Sequence, residues 1–174
     1  LVSFIIPHKG RELFLQKTIE SVIQQKIDST SLEVIIVTQN KQLSENIQSY
    51  SSEICLSIYT RPETETISAL RNFGVEKSSG KYLAFLDADV ELSSNWTECM
   101  LDSLNSVNGR IITSAIQQNG TNAPPLEKIR TALSNAVTNQ NVSFLPGRNL
   151  FLSRDNFYQI GGFPEHLITC EDYY

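Results

Sequence analysis

The chain has 174 residues, enough for one domain with a single core, so neither a disulfide framework nor a structural metal is required for folding. Hydrophobic residues make up 40% and charged residues 19%, and no apolar run approaches the roughly 20 residues of a membrane helix, which reads as a soluble protein without a transmembrane segment. The net charge of −5, with basic residues scattered along the chain, argues against a nucleic-acid surface and suits a protein that holds an anion through a metal and a few placed donors.

Val2 to Ile6 is a short apolar run rich in β-branched residues and predicts a buried strand. It lacks the basic flank and the small-residue cleavage site of a signal peptide. Pro7-His8-Lys9-Gly10 reads as a loop, and Glu12 to Gln25 as an amphipathic helix with Leu15, Ile19, Val22 and Ile23 on one face. Leu32 to Val37 and Ile54 to Tyr59 predict two further strands, with a weaker helical pattern near Ile47 between them. Ile67, Leu70, Phe73 and Val75 fall at helical spacing, and Ser78-Ser79-Gly80 is expected to end that helix with the glycine in the left-handed conformation. Tyr82 to Leu86 then runs apolar into Asp87-Ala88-Asp89.

Ser93-Ser94-Asn95 is expected to cap a helix running from Trp96 to Leu104, and Ile111 to Ile116 predicts another strand. Gln117 to Asn141 is polar, holds Pro124-Pro125, and carries a helical pattern around Ile129, Leu133 and Val137; it is expected to be a mobile excursion outside the core. The last third, with Pro146-Gly147 interrupting Phe144 to Leu152 and a Gly161-Gly162-Phe163-Pro164 turn, reads as mostly loop. Strands alternating with helices predict an α/β fold, a mainly parallel central sheet flanked by helices.

Two carboxylates two residues apart at the exit of a buried strand are costly unless something pairs with them, and open parallel sheets bind ligands at the carboxyl ends of their strands. Asp87 and Asp89 are therefore candidates to hold Mg²⁺ or Mn²⁺ together with the phosphates of a substrate. The same residues also fit a turn with an N-cap aspartate. Arg71, taken alone, reads as a solvated surface arginine. Glu171-Asp172, near the end of the chain, also fits the start of a helix, where acidic residues are favoured. Cys55, Cys99 and Cys170 form no C-x-x-C pair and cannot all pair within the chain, so a reducing, cytoplasmic setting is expected, the inner face of the membrane included.

The run Ile67-Ser68-Ala69-Leu70-Arg71-Asn72-Phe73-Gly74, followed by Ser79-Gly80-Lys81-Tyr82-Leu83-Ala84-Phe85-Leu86-Asp87-Ala88-Asp89, resembles the central signature of family 2 glycosyltransferases with the GT-A fold. Val2 to Pro7 resembles their opening strand and loop. Pro146-Gly147-Arg148-Asn149 through Gly161-Gly162-Phe163 to Glu171-Asp172 resembles their acceptor-side segment, so the resemblance covers nearly the whole chain. It implies a single GT-A catalytic domain over 1–174, with a nucleotide-binding half at 1–90 and an acceptor-side half at 91–174, truncated at its C-terminus. The activity it implies is transfer of a sugar from a nucleoside-diphosphate sugar to an acceptor hydroxyl with inversion, in surface polysaccharide or glycoconjugate synthesis. The implied donor is a UDP- or GDP-sugar, the acceptor a carbohydrate or a lipid-linked molecule, and the cofactor a divalent metal, Mn²⁺ or Mg²⁺.

Residue roles follow from the same resemblance. Asp89 is implied as the metal ligand, Asp87 as a neighbour of the ribose and the metal shell, and Arg71 as the guanidinium lying against the base. Pro7 and His8 fall in the first nucleotide-contacting loop. Asp172 is implied as the general base that deprotonates the acceptor hydroxyl, with Glu171 beside it, while Gly161, Gly162 and Arg148 shape the sugar and acceptor pocket. The chain departs from the family pattern after the second strand, where Thr38-Gln39-Asn40 replaces the usual acidic pair. The Gln39 amide, which both donates and accepts, is then the expected base contact. Two other functions fit parts of the sequence. A nucleotide-sugar-binding module without turnover fits Thr38-Gln39-Asn40, and a sugar nucleotidyltransferase would carry a basic phosphate loop of which His8-Lys9-Gly10-Arg11 is a faint echo.

Overall fold

The computed structural model describes residues 1–106, 112–120, 122–138, 140, 142, 145 and 147–167. In chain order the elements are β1 (Val2–His8), α1 (Glu12–Ile23), β2 (Leu32–Thr38), α2 (Glu45–Ser49), β3 (Cys55–Thr60), α3 (Ile67–Lys77), β4 (Tyr82–Leu86), α4 (Trp96–Asn105), β5 (Ile112–Ser114), α5 (Pro125–Ser134), β6 (Asn149–Ser153) and α6 (Arg154–Gln159). The six described strands form one sheet in the order β3-β2-β1-β4-β6-β5. The pairs β1–β2, β1–β4 and β2–β3 are parallel, and β6 runs antiparallel to both β4 and β5.

Side-chain alternation along the strands divides the core between the two faces of the sheet. Phe4 and Ile6 of β1 point with Val34, Ile36, Ala84 and Leu86 toward Leu15, Ile19 and Val22 of α1 and Trp96, Met100 and Leu104 of α4. Ile5 points the other way, with Ile35, Val37, Leu83 and Phe85, toward Leu70 and Val75 of α3 and Phe157 of α6. Each such side chain, fully buried, contributes roughly 1.5–3 kcal/mol. Because both faces are covered, β1 and β2 are buried along their whole length and read as continuous apolar runs in the sequence.

Two glycines set how closely neighbours approach. A Cβ on Gly74 would lie 2.5 Å from Ile5 Cγ2, so this glycine lets α3 press against the sheet. Gly80 does not take the left-handed conformation expected of it; Gly10, Gly161 and Gly162 are the described glycines with positive φ. The reason for glycine at position 80 is space: a Cβ there would run into Ser3 Oγ and lie 2.8 Å from the Ser3 backbone nitrogen. Asn95 occupies the N-cap of α4, but no side-chain cap bond forms there. The expectation of a mostly irregular last third is also corrected, since β6 pairs with both β4 and β5 and α6 follows it directly, capped by the Ser153 hydroxyl, which accepts from Asn156 N. The segment around α5 lies outside the core as expected, with no buried residue on that helix.

Candidate functional site

The chain winds outward from β1 through β2 to β3 and then returns to lay β4 on the other side of β1. This reversal leaves a crevice at the carboxyl ends of β1 and β4, where open α/β sheets bind ligands. A cleft of about 440 Å³ opens there. Pro7, His8, Lys9 and Arg11 from the β1–α1 loop form one wall, Asp87, Ala88 and Asp89 the other, with Ile67 and Phe14 at the margins.

On the β4 side, Asp87 leaves the strand with its N–H bonded to the Arg148 carbonyl at 3.2 Å, and the Asp87 carbonyl accepts from Val90 N at 3.3 Å, which turns the chain and exposes Asp89. Arg71 is only 2% exposed, so it is not a solvated surface residue. Its Nη2 donates to Asp87 Oδ1 at 3.1 Å and to the Gly147 carbonyl at 3.3 Å, and its guanidinium carbon stands 5.0 Å from the centre of the Phe163 ring. Burial raises the Asp87 carboxyl above its usual range; Arg71 opposes this, the neighbouring Asp89 adds to it, and Arg148 opposes it further. An acidic pair whose mutual repulsion is felt in this way is a site that a cation would stabilise.

Gly161 and Gly162, both with positive φ, end α6 with the Gly161 and Gly162 N–H groups donating to the Tyr158 and Phe157 carbonyls. They are not among the residues that line the cleft, and they lead into Phe163, whose ring meets Arg71. Asn72 fixes that loop, accepting from Phe163 N at 3.0 Å and donating to the Phe163 carbonyl at 2.9 Å. Arg148 approaches Asp87 through its backbone. Glu171 and Asp172 lie outside the described residues.

The opposite wall is organised by Thr38-Gln39-Asn40. The Thr38 hydroxyl meets His8 Nδ1 at 2.9 Å and accepts from Asn40 N at 3.1 Å. Asn40 holds Gly10 by two reciprocal bonds, Gly10 N to Oδ1 at 2.8 Å and Nδ2 to the Gly10 carbonyl at 2.9 Å. Gln39 N donates to the His8 carbonyl, while Nε2 donates to the carbonyls of Pro62 and Glu65, each at 2.9 Å. The amide nitrogen of Gln39 is thus used to hold the β3–α3 connection, and only its oxygen is left to face a ligand. His8 is 3% exposed, and its Nε2 meets no hydrogen-bond partner among the described residues. Burial lowers the His8 pKa, against the opposing effects of the Arg11 backbone and the Glu12 charge, which favours the neutral ring.

Among the described residues no group of three or more His, Cys, Asp or Glu side chains is placed to hold a metal ion. Asp87 and Asp89 alone fit a hard cation that completes its shell with phosphate oxygens and water. Lys9 and Arg11 entered the sequence reading only as a faint echo of a phosphate loop, while the contact of Phe163 with Arg71 and the bracing roles of Thr38 and Asn40 escaped it. The two cations were visible in the Pro7-to-Arg11 loop, and the braces required the strand register that pairs His8 with Thr38.

Residues 3–161 match the family model "Glycosyl transferase family 2". The chain belongs to this family. Among curated glycosyltransferases, AglE of Haloferax volcanii is 28% identical over 98% of this chain and 58% of its own length. A minor teichoic acid biosynthesis protein of Bacillus subtilis, GgaB, is 29% identical over 66% of this chain and 13% of its own. The mannosyltransferase PcManGT from Pyrobaculum calidifontis, solved with GDP-Man and Mn²⁺, superposes with a TM-score of 0.78 over 99% of this chain and 49% of its own, at 15% identity. That likeness shows the GT-A fold. The chain therefore spans little more than half the length of AglE and about half that of PcManGT. No helix among the described residues is long and apolar enough to cross a membrane.

Proposed function

We propose that this chain is the donor-binding core of an inverting, metal-dependent glycosyltransferase that uses a UDP- or GDP-sugar. The observation that carries this reading is the cleft at the β1–β4 crevice, with Asp87 and Asp89 on one wall and the buried Arg71 fastened to Asp87 beneath it. Asp89, open to solvent, is the principal metal ligand, and Asp87 is the second. A divalent cation, Mn²⁺ or Mg²⁺, supplies electrostatic stabilisation of the leaving diphosphate when bound there. Arg71 fixes the Asp87 carboxylate in position, and Pro7 and His8 border the nucleotide. The family match speaks against a sugar nucleotidyltransferase.

Transfer breaks the bond between the anomeric carbon and the diphosphate oxygen and forms a bond from the acceptor oxygen to that carbon on the opposite face. The acceptor proton passes to a carboxylate, Asp172 by family correspondence, with Glu171 beside it. The nucleoside diphosphate leaves with the bonding electron pair. By the same correspondence, Gly161, Gly162 and Arg148 are assigned to the sugar and acceptor pocket. The acceptor is a carbohydrate or lipid-linked hydroxyl in surface-polymer synthesis, in keeping with the teichoic acid role in the name of GgaB. The setting is cytoplasmic, at the inner membrane face where the acceptor is lipid-linked. The structure of PcManGT with GDP-Man and Mn²⁺ supports the metal.

Calorimetric titration of UDP, GDP and their sugar conjugates, with and without Mn²⁺, tests this on the wild type and on Asp89→Ala. One nucleotide bound with Mn²⁺, and at least tenfold more weakly by the variant, is the expected result. Equal binding by the variant would remove Asp89 from the site.

A further inference from the structure

We propose that the β1–α1 loop is a cationic wall for the donor diphosphate, in which Lys9 and Arg11 hold phosphate oxygens independently of the metal. This rests on the donor reading above and assigns a second set of contacts within the same cleft. A diphosphate brought next to Asp87 and Asp89, in a chain of net charge −5, meets more negative charge than one divalent ion offsets. The opposite wall supplies what is missing: both described cations that line the cleft, Lys9 and Arg11, stand on the β1–α1 loop.

Each of the two side chains is poised for such a ligand. Lys9 Nζ lies 3.3 Å from Glu63 with both side chains more than half exposed. Exposed pairs of this kind are weak, so Lys9 can exchange Glu63 for a phosphate. Arg11 makes no ion pair with a described residue and rests only near the Phe14 ring, 5.8 Å from its centre. The reciprocal Asn40–Gly10 bonds hold the loop before any ligand arrives, which reduces the ordering cost of binding.

The test uses the full-length protein and follows inorganic pyrophosphate, UDP, GDP, uridine and guanosine by calorimetry, in EDTA and in Mn²⁺. Three proteins are compared: wild type, Lys9→Gln/Arg11→Gln, and the charge-keeping Lys9→Arg/Arg11→Lys. Both residues are exposed, so thermal melting is expected to be unchanged. The wild type is expected to retain measurable diphosphate binding in EDTA. The neutral variant should lose it by about tenfold or more, which corresponds to about 1.4 kcal/mol, while the charge-keeping variant retains most of it. Nucleoside binding should be the same in all three. Diphosphate binding in EDTA that is equal in the wild type and the neutral variant overturns the cationic wall, as does wild-type binding that vanishes completely in EDTA. Absence of any nucleoside diphosphate binding by the wild type in Mn²⁺ overturns the donor reading itself and this inference with it.

Discussion

Asp87 and Asp89 are separated by a single alanine yet stand in different surroundings. Asp87 is a counter-charge: its side chain, 38% exposed, accepts from a guanidinium that is almost wholly buried. Asp87→Ala removes the carboxylate partner of Arg71, and the expected loss is about 2 kcal/mol, within the range for a hydrogen bond between charged groups. A fully buried pair would lose more, but Asp87 is partly open to water. Asp89 lies exposed in the turn after β4, and Asp89→Ala is expected to change stability by less than about 0.5 kcal/mol. Urea melts of the two variants check this contrast, and equal losses would mean that Arg71 does not depend on Asp87. The expected stability of Asp89→Ala also makes it the cleaner variant for the binding test. The acidic pair was legible from its spacing after a buried strand. The burial of Arg71 was not, because arginine is seldom fully buried and nothing local marks this one. The Arg71–Asp87 bond joins α3 to the end of β4, 16 residues apart in sequence. Thr38-Gln39-Asn40 was legible as a departure from the family pattern, but its bracing role depends on partners about 23 to 30 residues away in sequence, which no local pattern reports.

At the amino end of the sheet, opposite the cleft, three elements are tied together by one buried carboxylate. Glu33 of β2 accepts from Ser3 Oγ of β1 at 2.5 Å and from the backbone N–H groups of Ser79 and Gly80, just before β4, at 2.6 and 3.0 Å. Burial pushes the Glu33 carboxyl up, but the bonds from Ser3, Ser79 and Gly80 together outweigh it and hold the group below its ordinary value. Since the native pKa is lower than the unfolded one, this contribution is fully present above the ordinary glutamate range and is lost as the pH falls through the native value. Glu33→Gln is expected to cost about 2 kcal/mol at neutral pH, because one amide oxygen must replace a carboxylate facing several donors. The difference from wild type should shrink in acid, once the pH lies below the native value and the native carboxyl is itself protonated. Denaturant melts at the two pH values check this, and a gap that does not depend on pH would assign the cost to shape rather than charge. The strands tied here were readable because burial on both faces gives unbroken apolar runs. β6 was hidden: it spans Asn149–Ser153, begins one residue after a Pro-Gly pair, and owes its place to pairing on both sides rather than to periodicity. Gly80 was placed at the right boundary for the wrong reason, since a contact with Ser3 is invisible from neighbours in sequence.

Across the whole molecule stability is expected to be uneven, and the unevenness follows the distance from the sheet. β1 and β2 are buried from end to end and lie inside a ladder of parallel partners. α5 has no buried residue, and Leu126, Ile129 and Leu133 on it are 69, 57 and 71% exposed. Its ten residues fall short of the roughly 12–15 at which an isolated helix becomes even marginally stable. What holds it are polar contacts of its flanks, chiefly Asn135, which accepts from Gln117 N at 2.9 Å and donates to the Gln117 carbonyl at 2.7 Å. Because β5 runs in the direction of β4, Gln117 emerges at the carboxyl end of the sheet, the end that carries the cleft. Opening α5 therefore exposes almost no new apolar surface, whereas opening β1 or β2 dismantles both core clusters. Native-state hydrogen exchange is expected to show α5 amides exchanging by local opening, well ahead of those of β1 and β2, which should follow global unfolding. Exchange in α5 as slow as in β1 would mean that Leu126, Ile129 and Leu133 are covered in solution, and its dependence on protein concentration would tell whether a second copy covers them.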